Sequence, residues 1–124
     1  MRALALQKAI FSALADISVP VFDKVPQDQP YPYVTYVSAD TADADFLVER
    51  MDEVSVTIQA WSRAGGQQEV QEIMAEIVER LDRKKLPLDS GNLINLRVTR
   101  TRTAREDDTE TYMGQVSTLA QIHE

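Results

Sequence analysis

Hydrophobic residues recur at helical spacing in two segments of the chain. Over Ala3–Ile17 they stand three or four positions apart, which predicts a helix over residues 2–16 with one buried face. A similar stripe over Val70–Leu81 predicts a second helix over 66–83. The opposite side of the second helix is rich in charge, which is typical of a face in contact with water. Its charged residues are Glu69, Glu72, Glu76, Glu79, Arg80 and Arg83.

Alternating apolar and polar residues predict strands before the second helix. The clearest covers residues 53–61, where the apolar side chains share one face and the polar ones share the other. The apolar face consists of Val54, Val56, Ile58 and Ala60. β-branched and aromatic residues predict a further strand over 33–38, after a short extended stretch over 19–25. Small and acidic residues over 39–49 predict a loop or a long, exposed hairpin tip.

Two more strands are predicted after the second helix. The first again alternates between apolar and polar residues and extends as far as residue 103. Its predicted apolar face consists of Ile94, Leu96 and Val98. A polar hairpin loop over 105–109 then leads to a last strand over 112–122.

The order of these elements indicates the fold class. Runs of neighbouring strands, interrupted by only two helices, favour an α+β fold. We predict a mostly antiparallel sheet that packs against two helices lying on one of its faces. The 124 residues are enough to form one hydrophobic core, and no linker divides them, which predicts a single domain over residues 1–124.

Composition excludes several kinds of chemistry. Thirteen Lys and Arg against 20 Asp and Glu give a net charge of −7, which argues against a nucleic-acid coat because phosphate binding depends on basic side chains. The absence of cysteine excludes disulfides, thiolate metal sites and thiol catalysis. The only histidine, His123, stands next to the chain end. We therefore expect no catalytic residue, no metal and no cofactor; an enzyme would need two carboxylates paired in a cleft with shifted pKa values.

The start of the chain and its hydropathy indicate neither a signal peptide nor a membrane span. The apolar run over Met1–Leu6 ends at Gln7 and Lys8, before a hydrophobic region of signal-peptide length has formed. No stretch approaches the roughly 20 apolar residues that cross a bilayer. We therefore expect a soluble protein that is made in the cytoplasm and has no membrane partner.

Four arginines stand out against the negative net charge. Residues 97–105 contain Arg97, Arg100, Arg102 and Arg105, and no acid. On an uninterrupted strand, Arg100 and Arg102 share the apolar face, whereas Arg97 points to the other face. Two interpretations remain open: the charges keep an edge strand from aggregating, or they form a basic stripe that docks on an acidic neighbour.

Three acids, Asp40, Asp43 and Asp45, lie in the predicted hairpin tip. Their spacing does not fit a calcium loop, which places oxygen ligands at alternate positions around a glycine turn and ends on a glutamate. Solvated loop charges are therefore the favoured interpretation. These acids and the four arginines are also the candidate interface residues, because different patches on one chain allow head-to-tail pairing between identical subunits.

Several short pieces, in this order, carry a resemblance to a known family. They are Leu6-Gln7-Lys8-Ala9-Ile10, Val21-Phe22-Asp23-Lys24-Val25-Pro26, Tyr31-Pro32-Tyr33-Val34, Val56-Thr57-Ile58-Gln59-Ala60-Trp61-Ser62-Arg63, Leu86-Pro87-Leu88 and Asn95-Leu96-Arg97-Val98. Together they span nearly the whole chain. The layout resembles the small phage tail-completion or tail-terminator family, a domain-of-unknown-function family of long-tailed phages and gene transfer agents.

The resemblance implies a structural virion protein. Such proteins cap the tail tube, end its polymerisation and form the joint to the head connector or stopper protein. The resemblance further implies a ring of this chain, usually a hexamer, at the head-proximal end of the tail, through which DNA passes without specific binding. It also implies synthesis in the bacterial cytoplasm. The alternative function is a small intracellular adaptor module that binds one protein partner outside any virion.

Overall fold

The computed structural model of the protein describes residues 2–43, 51–108 and 110–123. Two helices and five strands are described within these ranges. In chain order they are α1 (Arg2–Ala13), β1 (Val21–Phe22), β2 (Tyr33–Asp43), β3 (Met51–Ser62), α2 (Gln68–Leu81), β4 (Asn92–Arg105) and β5 (Tyr112–His123). The predicted α+β class is confirmed.

The described strands form one sheet in the order β1-β2-β3-β5-β4. β1 pairs with β2 in parallel over only two residues, Val21 and Phe22, whereas all the other pairs are antiparallel. The long central pair, β3 and β5, is therefore flanked by β2 on one side and by β4 at the edge on the other.

Both helices pack against the same face of this sheet. The predicted apolar face of β3 is confirmed, since Val54, Val56, Ile58 and Ala60 are each at most 1% exposed. These side chains belong to one buried cluster that also contains residues from each helix. The helical members include Leu6, Ile10 and Leu14 of α1 and Val70, Ile73, Ile77 and Leu81 of α2. The sheet therefore has a helix-covered face and an opposite face, which we call the outer face.

Glycine at one position allows α2 to lie close to β5. A Cβ built on Gly114 would stand only 2.8 Å from Met74 Sδ and 2.8 Å from Val70 Cγ2. Such distances are shorter than van der Waals contact, so a larger residue would force the side chains of Met74 and Val70 to move.

The helices are shorter than the sequence predicts. α1 ends at Ala13 rather than at residue 16 and continues as a turn. α2 covers Gln68–Leu81 rather than 66–83, because Asp82 is extended and Arg83 has a left-handed φ of 59°. Helical hydrogen bonding cannot continue through either conformation.

β2 is longer than the sequence predicts. The loop expected from residue 39 onward is wrong for residues 39–43, which continue β2 and pair with β3 from Ala39 opposite Val56 to Asp43 opposite Asp52. The strand β3 supplies hydrogen-bond partners that outweigh the low strand propensity of this small, acidic segment. The remaining part of the predicted loop, residues 44–49, lies outside the described residues.

The predicted apolar face of β4 is wrong at its first residue. Ile94 is 45% exposed, while Leu93 and Leu96 are buried. The register against β5 shifts between Leu93 and Asn95, which leaves Ile94 as the extra residue of a β-bulge. A bulge of one residue moves the following side chains to the opposite face, so simple alternation fails across it.

We expect Ile58→Ala to lower the free energy of unfolding by ~2–4 kcal/mol, because it removes a fully buried side chain between the sheet and the helices. Ser55→Ala, at an exposed position of the same strand, should change it by less than ~0.5 kcal/mol. Urea denaturation of both variants measures the difference. A loss below ~1 kcal/mol for Ile58→Ala would contradict the placement of this face in the core.

Candidate interaction surface

The centre of the outer face is polar and pairs its own side chains across strands, whereas Trp61 and the buried Met113 lie opposite one another at one end of this face. Residues directly opposite one another on neighbouring strands share a face. Gln59 Nε2 of β3 donates to Gln115 Oε1 of β5 at 3.2 Å, and Asn95 Nδ2 of β4 donates to Gln121 Oε1 of β5 at 2.8 Å. Because these amides are satisfied laterally, this central part of the face is suited to water or to a polar partner.

Three of the four predicted arginines lie together on the outer face, along the edge strand β4. Arg97, Arg100 and Arg102 are all exposed, and we call them the arginine stripe. Each stands opposite an outer-face residue of β5; these partners are Leu119, Ser117 and Gln115, respectively. None of the three forms an ion pair with another residue in the described part of the chain.

This arrangement corrects the predicted orientation of the arginines. Arg97 points away from the face of Leu96 and Val98, as expected, but Arg100 and Arg102 point away from it too. A second register shift, between Val98 and Arg100, inserts Thr99 as an extra residue and turns both following arginines to the outer face.

The fourth arginine is separate from the stripe. Arg105 pairs with Tyr112, whose ring packs against the core cluster on the helix-covered face. By alternation Arg105 also lies on the helix-covered side of the sheet.

Asp40, the acidic candidate whose side chain is described, lies at the opposite side of the sheet from the stripe. Asp40 stands opposite Ser55 on β3, and Ser55 stands opposite Leu119, the neighbour of Arg97. Asp40 and Arg97 thus belong to one row across the outer face, three strand spacings or about 14 Å apart. Asp43 ends β2, and Asp45 lies outside the described residues. Within one chain, the described acids and the stripe are therefore not brought together.

Part of the free edge of β4 is closed by the segment that follows α2. The backbone N–H of Arg83 donates to the Leu96 carbonyl at 2.7 Å, and the Val98 N–H donates to Asp82 Oδ1 at 2.8 Å. Among the described residues, no comparable backbone contact covers the edge over 100–105. On the other side of the sheet, β1 covers β2 only at Val34 and Thr35.

The sequence analysis missed a polar network at the β4–β5 hairpin. The Arg63 guanidinium lies 4.5 Å from the centre of the Tyr31 ring, and its Nε donates to Thr111 Oγ1 at 2.9 Å. Its Nη2 also lies 3.5 Å from Asp108 Oδ2. The network joins three segments that are far apart in sequence, so no local pattern could have indicated it.

Hydrogen bonds within this hairpin hold the pKa of Asp108 at about 2, below its usual value of 3.8. The largest contribution comes from the Thr111 hydroxyl, which donates to Oδ2 at 2.7 Å. The backbone N–H groups of Thr111 and Glu110 donate to Oδ1, and the charge of Arg63 acts in the same direction.

No group of three or more His, Cys, Asp or Glu residues that could hold a metal ion occurs within residues 2–43, 51–108 and 110–123. Neither described helix is long and apolar enough to cross a membrane.

The described sheet carries the arginine stripe at one side and Asp40 at the other. Comparison with known proteins identifies the family. The family described as "Tail completion protein gp17" matches residues 1–123, and the chain therefore belongs to this family of structural phage-tail proteins.

A solved structure shares the fold. A chain in "Virion of native gene transfer agent (GTA) particle" superposes with a TM-score of 0.89 at 21% sequence identity, covering 98% of this chain and 97% of that chain. No curated protein matches the sequence.

The hairpin network predicts a pH-dependent contribution to stability. Since folding lowers the pKa of Asp108 from 3.8 to about 2, its contribution is fully present above the unfolded value and is lost as the pH falls through about 2. Asp108→Asn should therefore destabilise the protein at neutral pH, and its difference from the wild type should shrink in acid. Thermal unfolding across this range measures the effect. Asp107→Asn is the matched control, and a difference independent of pH would contradict the assignment.

Proposed function

We propose that this chain caps the tail tube, ends its polymerisation and forms the joint to the head connector. The observation that carries the proposal is the family match, which extends over residues 1–123. The fold shared with a chain of a gene transfer agent particle supports it further. The proposed place of the protein is the head-proximal end of the tail, where it arrives after synthesis in the bacterial cytoplasm.

The proposed partners are further copies of this chain, the tail tube protein and the head connector or stopper protein. A ring requires a heterologous contact, in which two different patches of each subunit meet. The arginine stripe on β4 and Asp40 on β2 meet this requirement, because they carry opposite charges and lie at opposite sides of one sheet face. The family resemblance favours a hexamer.

The charge of the chain also suits a ring through which DNA passes. A net charge of −7 repels the phosphate backbone over most of the surface. The arginines are the local exception, and pairing them with carboxylates of a neighbouring copy would neutralise them. The proposal therefore includes passage of DNA without specific binding.

Removing the chain from a producing cell tests the capping function. Tails that lack their cap should continue to polymerise, and they should fail to join heads. Electron microscopy measures both tail length and the fraction of tails carrying a head. Normal-length tails joined to heads would overturn the proposal. If the purified chain, in addition, stays monomeric in light scattering when tube protein is added, the adaptor function is indicated.

The double variant Arg100→Glu, Arg102→Glu tests the contact between copies. It reverses the charge of the stripe, so ring formation and head joining should decrease while circular dichroism still shows a folded subunit. Lys8→Glu with Arg80→Glu makes the same change in net charge on the helices, at exposed ion pairs that contribute little. If the Arg100→Glu, Arg102→Glu variant produces tails of normal length that join heads, the proposed contact between copies is contradicted. The family assignment is unaffected by that result.

A further inference from the structure

We propose that β4 of one copy pairs directly with β2 of the next copy, so that one antiparallel sheet continues across the subunit boundary with Asp40 opposite Arg102. The inference rests on the proposed ring and specifies its contact. Four observations lead to it: the direction of the two strands, the parts of their edges that are open, the face on which their charges lie, and the side chains that would meet.

The strand directions allow this pairing. From β2 through β3 and β5 to β4, every neighbouring pair is antiparallel, so β2 and β4 run in opposite directions. A second copy placed beside the first in the same orientation therefore presents its β2 antiparallel to the first copy's β4. This is the head-to-tail arrangement that a ring of identical subunits needs.

The open parts of the two edges match in length. On β2, the edge is open over 38–43, because β1 covers only Val34 and Thr35 within the described chain. On β4, the edge is open over 100–105, because the segment after α2 bonds to Leu96 and Val98. Unpaired strand edges are templates for pairing with another chain.

The side chains on the outer face select the register. If Asp40 stands opposite Arg102, then Ser38 stands opposite Ala104 and Ala42 opposite Arg100, and each of these residues lies on the outer face of its own copy. Since the side-chain period of a strand is two, only shifts by an even number of residues keep the faces aligned.

The neighbouring registers are less favourable. Moving β2 by two residues toward Val98 keeps a charge pair, Asp40 opposite Arg100, but it brings Ala42 against the edge that Asp82 occupies. Moving it by two residues the other way places Asp40 opposite Ala104, so that the direct pairing with Arg102 is lost. Opposite charges directly across a strand pair are stabilising, and arginine can bind a carboxylate through two parallel hydrogen bonds.

On the helix-covered side of the proposed strand pair, the side chains that meet are small enough for close approach. There Ala39 meets Thr103, and Thr41 meets Thr101. These small side chains leave the two strands free to approach to the ordinary spacing of about 4.8 Å. The bulge at Thr99 is essential to the pairing, because without it Arg102 would lie on this side, away from Asp40.

A disulfide between copies tests the pairing, because the chain has no cysteine of its own. In the double variant Asp40→Cys, Arg102→Cys, the two Cα atoms would stand about 4.5–5.5 Å apart across the boundary, which suits a disulfide. Particles from producing cells should then show a ladder of covalent oligomers on a non-reducing gel. Asp40→Cys with Arg97→Cys is the control, since Arg97 lies about 13 Å along the same strand from Arg102, four strand steps once the bulge at Thr99 is counted.

A charge exchange provides a second test that does not depend on disulfide chemistry. Asp40→Arg alone and Arg102→Asp alone each place like charges opposite one another, and each should weaken association roughly tenfold or more. Coexpression of the two single variants should restore association, because every boundary in an alternating ring then pairs an arginine with an aspartate.

The outcomes separate this inference from the proposed function. Three results would overturn the pairing and leave the proposed function intact. The first is capped, head-joined tails from the double cysteine variant without a covalent ladder, and the second is a ladder of equal strength from the cysteine control. The third is that the coexpressed charge variants remain as defective as either variant alone. Particles that lack the chain, together with normal tails in its absence, would overturn both.

Discussion

The structure depends on one constraint: both helices bury their apolar faces on the same side of the sheet. The contact is close, since Val70 and Met74 of α2 approach the backbone of β5 at Gly114. Nothing comparable covers the other side within the described chain, so the outer face satisfies its polar groups through pairs such as Gln59 with Gln115. The surfaces left for partners are therefore this polar face and the two sides of the sheet.

The fold class and the core of the sheet could be predicted because β3 alternates without interruption. Val54, Val56 and Ile58 keep the period of two along the whole strand, and all three are buried as expected. In β4 the same rule fails at Ile94 and Thr99. The positions of these bulges are set by the ladder to β5 and by the hydrogen bonds of the segment after α2, which lie far away in sequence.

The candidate site could likewise be predicted only in part from the sequence. Composition alone pointed to the arginines and the acids, because four arginines without an acid are unusual in a chain of this charge. Their faces could not be predicted, since one extra residue at Thr99 reverses the orientation of Arg100 and Arg102. The network around Arg63 and Asp108 was missed for another reason: its members come from three separate segments that only the folded chain brings together.

β2 also contains a bulge, because its register against β3 shifts between Tyr36 and Ser38. Together with the bulge of β4 at Thr99, it bears on the shape of the proposed assembly. A head-to-tail contact between identical subunits produces a closed ring only if the rotation at each boundary adds up to a full turn; otherwise it produces an open helical filament. Bulges bend a strand and increase its local twist, and each of the two boundary strands carries one beside the segment left open for pairing. In the proposed pairing, these local irregularities also contribute to the angle between neighbouring copies, which decides between a closed ring and an open filament.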